Sequence, residues 1–187
     1  MAVYRRFFGD EYKYVFITIT TNNCIPILLD NIKLLRSSFK YAMSKYSFEI
    51  YSAVILADHI HLILKLNNNH DYPEIIRLIK YYFSIHIKCC GHANALPTLH
   101  LTESKTKKRE KGIWQRRYWE HTICDENDLY RHLDYIHYNP VKHCNIAPKD
   151  YPYSSFNKFV ELGYYEKDWY NLDDKYKIND LGDNYGE

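Results

Sequence analysis

Two histidines separated by a single residue could bind one metal ion together. His59 and His61 lie in residues 58–66, where apolar and other side chains alternate with the period of a β-strand. Successive side chains of a strand point to opposite faces, so both imidazoles project from the same side. Imidazole nitrogens bind divalent transition metals, and the pair therefore predicts part of a metal site. Because the chain has ten histidines, such a pair also arises by chance, and further residues have to support the interpretation.

A tyrosine on a predicted helix could supply a nucleophile next to that metal. Helical spacing over residues 128–139 predicts the helix, and Pro140 is expected to end or kink it. Tyr135 and Asn139 are four residues apart and therefore share one helix face. The phenol of Tyr135 and the amide oxygen of Asn139 can thus approach the same point. They offer a nucleophile and a third metal ligand.

Other polar side chains leave alternatives open. His132 and His137 lie on the same predicted helix and are rivals of Asn139 as third ligand, although their helical angles fit less well beside Tyr135. Asp58 either orients one of the paired histidines through a hydrogen bond or forms the turn before their strand. Asn139 could also be a helix-terminating residue before proline, a role that needs no metal.

The remaining elements predict how these residues are brought together. Alternating, β-branched segments predict four strands, and two segments with helical spacing predict the helices between them. The order β-α-β-β-α-β is that of the α+β ferredoxin-like split βαβ sheet, in which both helices cover one face. We expect the histidine face to be open for a ligand and the tyrosine-bearing helix to follow as an additional C-terminal element. The predicted strands are residues 14–20, 48–56, 59–66 and 113–123, and the predicted helices are residues 30–46 and 71–91.

One domain accounts for most of the chain. Residues 1–163 are predicted to form it, and the polar, charged residues 93–112 predict a mobile excursion within it because they show little periodicity. Residues 164–187 hold seven acidic residues and three lysines and so form an acidic tail. Trp169, Tyr170 and Leu172 provide apolar anchors, which predict that the tail packs partly on the domain.

Composition favours a soluble, intracellular protein. Five cysteines, an odd number without a paired C-x-x-C spacing, suit a reducing cytosol better than a disulfide framework. The longest purely apolar run, residues 53–57, is far too short to cross a membrane, and the first residues lack the apolar segment of a signal peptide. We therefore expect a cytoplasmic protein that does not bind membranes.

Positive charge and aromatic side chains predict nucleic acid as the partner. The formal net charge is +2, and because the tail is acidic, the preceding domain is more basic than this value indicates. A basic run over residues 105–117 is the kind of patch that attracts a phosphate backbone. The twenty tyrosines include side chains that could stack on unpaired bases. The predicted DNA contacts are Arg5, Arg6, Arg116, Arg117 and Lys142.

Six short motifs follow one another along residues 4–170. They are Tyr4-Arg5-Arg6, Asp58-His59-Ile60-His61, Trp114-Gln115-Arg116, His121-Thr122-Ile123, Tyr135-Ile136-His137-Tyr138-Asn139-Pro140-Val141-Lys142 and Tyr151-Pro152-Tyr153-Ser154-Ser155-Phe156. In this order they resemble the HUH single-tyrosine transposases, and within these the REP-associated tyrosine transposases. The chain departs from the usual pattern of that group with Ala57 in place of Pro, Tyr153 in place of Trp, and His143-Cys144 in place of Ala-Gly.

The resemblance implies a metal-dependent enzyme that cuts and joins single-stranded DNA during transposition. A divalent ion, Mg²⁺ or Mn²⁺, would be bound by His59, His61 and Asn139 and would prepare the scissile phosphate for attack by Tyr135. The implied intermediate is a 5′-phosphotyrosine beside a free 3′-hydroxyl, which can rejoin strands without ATP. The implied substrate is a DNA hairpin with an adjacent single-stranded guide, bound by a monomer or a homodimer.

Two other functions are open on sequence grounds. A catalytically quiet protein of the same fold would bind hairpin DNA without cutting it, although the complete set of histidines, tyrosine and asparagine argues against this. A zinc hydrolase would share the His-x-His pair but would use water as its nucleophile. The substitution Tyr135→Phe separates the three functions, because only the transposase requires the phenol oxygen.

Overall fold

Four antiparallel strands form one sheet in the computed structural model. The structure describes residues 13–68, 70–87 and 112–169. The strands are β1 (Tyr14–Thr20), β2 (Phe48–Ile55), β3 (His59–Leu66) and β4 (Trp119–Thr122). Their order is β2-β3-β1-β4, so β1 and β3 are central and β2 and β4 are outer strands. The predicted α+β class with a ferredoxin-like sheet is confirmed.

Two helices cover the apolar face of this sheet, as predicted. Ile60, Leu62 and Leu64 of β3 are fully buried on that face, because their alternation with polar positions gives the strand one apolar side. They share one core cluster with residues of the first two helices. The helices of the described chain are α1 (Ile32–Met43), α2 (Tyr72–His86), α3 (Glu126–Cys144) and α4 (Phe156–Glu161).

The histidine face is not open, which corrects the sequence-based expectation. The long helix α3 packs across it, and Phe16, Val54 and Ile63 are fully buried there with Leu133 and Ile136 of α3. These apolar side chains lie on the same face as the histidines, and covering them removes apolar surface from water. The tyrosine-bearing helix is therefore a second layer of the fold that covers the site.

Helix α3 continues past Pro140, which was expected to end or kink it. Pro140 lacks the N–H that would bind the carbonyl of Ile136, yet the helix extends to Cys144. Asn145 then adopts a left-handed conformation (φ 54°), and the N–H of Ile146 bonds to the carbonyl of Pro140 at 3.2 Å. Burial of Pro140 and Val141 stabilises this additional turn.

Several predicted boundaries move. The fourth strand covers only Trp119–Thr122 of the predicted residues 113–123. Before this strand the chain makes one isolated bridge, from Trp114 to Thr21, and then leaves the sheet until Trp119. Helix α2 ends at His86, before its predicted end at Gly91, which lies outside the described residues. The predicted excursion, apart from Gly112, and the tail beyond Trp169 also lie outside them. Within the described ranges, none of the helices has the length and apolar character to cross a bilayer.

Candidate active site

The paired histidines open strand β3 and lie deep in the structure. His59 is 7% exposed and His61 is fully buried, and their ring centroids are 4.9 Å apart. Nδ1 of His59 lies 2.7 Å from Oδ1 of Asp58, and Nδ1 of His61 lies 2.8 Å from Oγ1 of Thr18. Because each Nδ1 is held by an oxygen, Nε2 is the nitrogen that each ring can offer to a metal. Asp58 thus makes the orienting contact that was one of its two predicted roles.

Helix α3 brings Tyr135 to the histidine pair. The Tyr135 side chain is 2% exposed, and its ring centroid lies 5.0 Å from that of His61 in an edge-to-face arrangement. Phe16 of β1 contacts both rings, at 5.9 Å from Tyr135 and 5.8 Å from His61. The predicted nucleophile and a predicted metal ligand, which are 74 positions apart in the sequence, are therefore neighbours in space.

Asn139 lies one helical turn from both Tyr135 and His143, whose rings contact the histidine pair, and it offers an amide oxygen on that face of α3. Its Nδ2 donates to the carbonyl of Tyr135 at 2.8 Å, which fixes the orientation of the amide. Its Oδ1 is buried and has no hydrogen-bond partner among the described residues. A buried acceptor without a donor costs free energy, on the order of 1–3 kcal/mol, which a bound cation would offset. Two imidazoles and this oxygen form a donor set that fits a divalent metal.

Two residues beside the site were not predicted to belong to it. Thr18 orients His61, and the ring of His143 lies 4.9 Å from that of His59. His143 follows Asn139 by four residues, as Asn139 follows Tyr135, so the helical spacing could have found it. The contact of Thr18 follows from the register of β1 on β3, which pairs Thr18 with His61 and which the sequence alone does not specify.

The rival ligands His132 and His137 lie elsewhere. His137 places its Nε2 2.9 Å from Oγ of Ser155 and 3.3 Å from Oγ of Ser52, over the outer strand β2. Nδ1 of His132 lies 2.8 Å from the carbonyl oxygen of Asp128, so it carries the proton and donates. His132 also forms a compact group with His121 and Asp128 that could hold a divalent ion. Asp128 of this group also accepts from the backbone N–H of Cys124 and contacts Nε2 of His121 at 2.7 Å, so the group supports the start of α3.

Three of the five predicted DNA contacts lie within the described residues. Arg116, Arg117 and Lys142 are exposed, as a phosphate-binding side chain has to be. Lys142 lies on the last turns of α3, with its Nζ 5.8 Å from the Tyr135 ring centroid. Arg5 and Arg6 lie outside the described residues. Positive charge therefore borders the candidate site from the end of α3.

Substitution of Thr18 by valine should weaken metal binding without removing a ligand. Valine keeps the shape of threonine but leaves Nδ1 of His61 without its oxygen, so the imidazole loses its fixed tautomer and orientation. We expect the affinity for Mn²⁺ to fall about tenfold, as is typical when a residue that orients a ligand is lost. Titration of the wild type and Thr18→Val with Mn²⁺, followed by electron paramagnetic resonance, checks this. Equal affinities would contradict it.

Burial of the two other histidines of α3 should make the fold sensitive to acid. Burial lowers the pKa of His137 to about 3 and that of His132 to about 4, from an ordinary value of 6.5. The unfolded chain therefore binds more protons than the folded chain below pH 6.5, and the stabilisation present above that pH is lost as the pH falls towards 4. Each histidine should contribute a loss on the order of 3 kcal/mol at pH 4.

Urea unfolding between pH 7 and pH 4 measures this loss. His137→Gln should show a smaller fall in the free energy of unfolding than the wild type, because glutamine does not titrate. The core variant Ile79→Val is the matched control, and it should lower the free energy by the same amount at both ends of the range. An equal pH dependence of the wild type and His137→Gln would show that His137 does not cause the acid sensitivity.

Comparison with known proteins identifies the family of this chain. The family model described as a transposase, IS200 like, matches residues 8–139. A Haemophilus influenzae protein with the provisional name REP-associated tyrosine transposase is 41% identical over 90% of this chain and 93% of its own length. The REP-associated tyrosine transposase of Escherichia coli K12 is 32% identical over 90% and 91% of the two chains.

A solved structure extends the likeness to the fold. It is described as a REP-associated tyrosine transposase bound to a REP hairpin, and it aligns with a TM-score of 0.74 and 29% identity over 100% of this chain and 98% of the other. The fold and the sequence define an IS200-like transposase. The chain belongs to that family, and its relatives place it among the REP-associated tyrosine transposases.

Proposed function

We propose that this protein is a metal-dependent endonuclease and strand transferase that cleaves single-stranded DNA at hairpins through a 5′-phosphotyrosine intermediate. The observation that carries the proposal is the position of Tyr135, whose ring lies 5.0 Å from His61 on the same chain. The buried Oδ1 of Asn139 supports it, because that oxygen lacks a partner among the described residues and lies one helical turn from the nucleophile.

The covalent step exchanges one ester for another. The phenol oxygen of Tyr135 attacks the scissile phosphorus and forms an O–P bond, while the bond from phosphorus to the 3′ oxygen breaks. The leaving oxygen takes up a proton and becomes a 3′-hydroxyl, and the tyrosine gives up its proton. The number of phosphate ester bonds is unchanged, so attack by a 3′-hydroxyl on the phosphotyrosine reseals the strand without ATP.

A phenol needs activation for this reaction, because its ordinary pKa is ~10 and it is mostly protonated at neutral pH. The Nζ of Lys142, 5.8 Å from the Tyr135 ring, stabilises negative charge on the ring system. The rigid helix holds the oxygen at a fixed distance from the histidine pair, which replaces a random encounter by a prearranged one. Both effects come from residues of α3.

The cation-binding residues would be His59, His61 and Asn139. A divalent ion held there would act as a Lewis acid on the scissile phosphate and offset the charge that develops in the transition state. Asp58 and Thr18 keep the two imidazoles oriented for it. Two nitrogens and an amide oxygen suit Mn²⁺, and Mg²⁺ is the alternative, for which water molecules would complete the coordination.

The substrate we propose is a DNA hairpin with an adjacent single-stranded guide. The solved relative is bound to a REP hairpin, and it covers the whole of this chain. Exposed Arg116, Arg117 and Lys142 supply positive charge for the phosphate backbone, and Arg5 and Arg6 are predicted to add to it. Such contacts fix position, whereas the guide would have to be read through its bases.

A denaturing gel tests the proposal directly. Purified protein is incubated with hairpin oligonucleotides labelled at the 3′ end, in Mg²⁺, Mn²⁺ or EDTA. A 5′-phosphotyrosine retains the 3′ label, so cleavage should produce a slowly migrating protein–DNA band that requires metal. The same oligonucleotide with a scrambled flank is the control. Binding of the hairpin without cleavage in any metal would favour the quiet DNA-binding protein, and cleavage without an adduct would favour a hydrolase.

A further inference from the structure

A cluster of three polar side chains lies where α3 packs on the outer strand β2. It consists of Ser52, His137 and Ser155, and we call it the Ser52–His137–Ser155 cluster. Nε2 of His137 lies 2.9 Å from Oγ of Ser155 and 3.3 Å from Oγ of Ser52, and the two hydroxyl oxygens are 3.0 Å apart. His137 and Ser52 are fully buried. The reaction described above uses none of them.

The hydrogens of this cluster can be assigned from its partners. Oγ of Ser155 accepts from the backbone N–H of Ala53 at 3.0 Å. Nδ1 of His137 is buried without a partner among the described residues. A buried N–H without an acceptor is costlier than a bare lone pair, so the proton lies on Nε2 and is donated to Ser155. The Ser155 hydroxyl, with both acceptor positions filled, donates to Ser52.

The cluster joins three parts of the chain that are distant in sequence. Ser52 belongs to β2 and His137 belongs to α3. Ser155 belongs to the segment 153–155, which pairs with the outer edge of β2 through two backbone bonds of 2.9 Å, Ile55 N–H to Tyr153 and Ser155 N–H to Ala53. The rings of Phe156 and Phe159 lie against His137, with ring centroids 5.7 and 5.0 Å from that of the imidazole. The apolar rings around the buried imidazole lower the local polarity and strengthen its hydrogen bonds.

The position of His137 on α3 connects this cluster to the candidate site. His137 lies two residues after Tyr135 and two residues before Asn139, so it projects from the opposite side of the helix. A helix held by a hydrogen bond on one side cannot rotate about its axis without breaking that bond. Rotation would move the phenol and the amide oxygen together, away from His61.

We infer that His137 is a positioning residue that, through Ser52 and Ser155, sets the rotation of α3 and so holds Tyr135 and Asn139 against the histidine pair. The inference rests on the proposed function of Tyr135. A displacement of about 1 Å of a reacting group costs on the order of 100-fold in rate. Loss of the cluster should therefore slow formation of the adduct by about that factor, while the DNA-binding surface keeps its affinity.

Three variants separate positioning from general stability. His137→Leu fills the space but removes the hydrogen bond, whereas His137→Gln can place an N–H near the position of Nε2 and should recover most of the rate. Ser155→Ala removes the hydroxyl oxygen that accepts the hydrogen bond from His137, so this variant should resemble His137→Leu. Phe159→Leu is the matched control, because it removes packing around His137 and leaves the hydrogen bonds in place.

The experiment measures three quantities for each variant. The melting temperature reports stability, the dissociation constant of the 3′-labelled hairpin reports binding, and the single-turnover rate of adduct formation with saturating protein reports positioning. We expect His137→Leu and Ser155→Ala to lose about 100-fold in rate with binding unchanged. Phe159→Leu should lose melting temperature alone. A wild-type rate in folded His137→Leu, or a loss in His137→Gln as large as in His137→Leu, would overturn the inference.

A readout without catalysis keeps the inference distinct from the proposed function. The ring resonances of Tyr135 in ¹³C-tyrosine protein are assigned by their absence in Tyr135→Phe. In His137→Leu and Ser155→Ala they should move away from their wild-type positions, and in His137→Gln they should return. If the wild type forms no adduct with any metal, the proposed function fails, and these resonances alone decide whether His137 positions Tyr135. Unchanged resonances in His137→Leu would overturn the positioning role.

Discussion

Tyr135→Phe should abolish the covalent protein–DNA band while the protein still binds the hairpin and Mn²⁺. The substitution removes one oxygen, and the remaining ring keeps its contacts with His61 and Phe16. Removal of a covalent nucleophile costs a rate factor on the order of 10⁶ in an enzyme where it has been dissected, so no adduct should be detectable. Hairpin affinity should not change, because the buried phenol is not among the exposed basic side chains that border the site.

Tyr138→Phe provides the matched control for this substitution. It removes the same atom from another buried tyrosine of α3, three residues further along the helix. Its adduct yield should equal that of the wild type. If Tyr135→Phe still formed the adduct and Tyr138→Phe did not, the nucleophile would have been misassigned. Persistent cleavage by both variants without any adduct would indicate that water is the nucleophile.

Alanine in place of both His59 and His61 should remove metal binding and cleavage together. Each ring contributes one nitrogen, and the Oδ1 of Asn139 alone cannot hold a divalent ion against water. We expect the affinity for Mn²⁺ to fall by more than about 100-fold, beyond the loss caused by removing a residue that only orients a ligand. Adduct formation should disappear at every metal concentration, and hairpin binding should persist because phosphate contacts supply most of the affinity.

His86→Ala is the control for the histidine substitutions. His86 is an exposed histidine at the end of α2, where its Nδ1 lies 2.9 Å from the carbonyl of Tyr82. Removing it takes away an imidazole from the protein without touching the candidate site. Calorimetric titration of Mn²⁺ into the three proteins distinguishes the cases. Undiminished metal binding by the double variant would place the ion elsewhere, and the group formed by His121, Asp128 and His132 would then be the first location to test.

The sequence predicts this fold and part of this site for clear physical reasons. Strand periodicity places His59 and His61 on one face, and helical periodicity places Tyr135 and Asn139 on one side of α3. Both rules are local, and the observed contacts agree with them. Strands β1 and β3 begin and end at the predicted residues because their alternation is uninterrupted.

The features that sequence reasoning missed depend on contacts between distant elements. Continuation of α3 beyond Pro140 requires burial against the domain, which outweighs the local preference of proline to end a helix. The contact of Thr18 with His61 depends on the register of β1 on β3, which local patterns do not fix. The closure of the histidine face depends on the direction in which the chain returns after β4. Each is decided by tertiary packing.

Segment 153–155 has a consequence for solubility as well as for catalysis. The outer edge of a sheet presents unpaired N–H and C=O groups that can recruit the edge of another molecule and start aggregation. In this protein the segment occupies part of the edge of β2 through its bonds to Ala53 and Ile55. The chain that follows α3 therefore also blocks one route to intermolecular strand pairing.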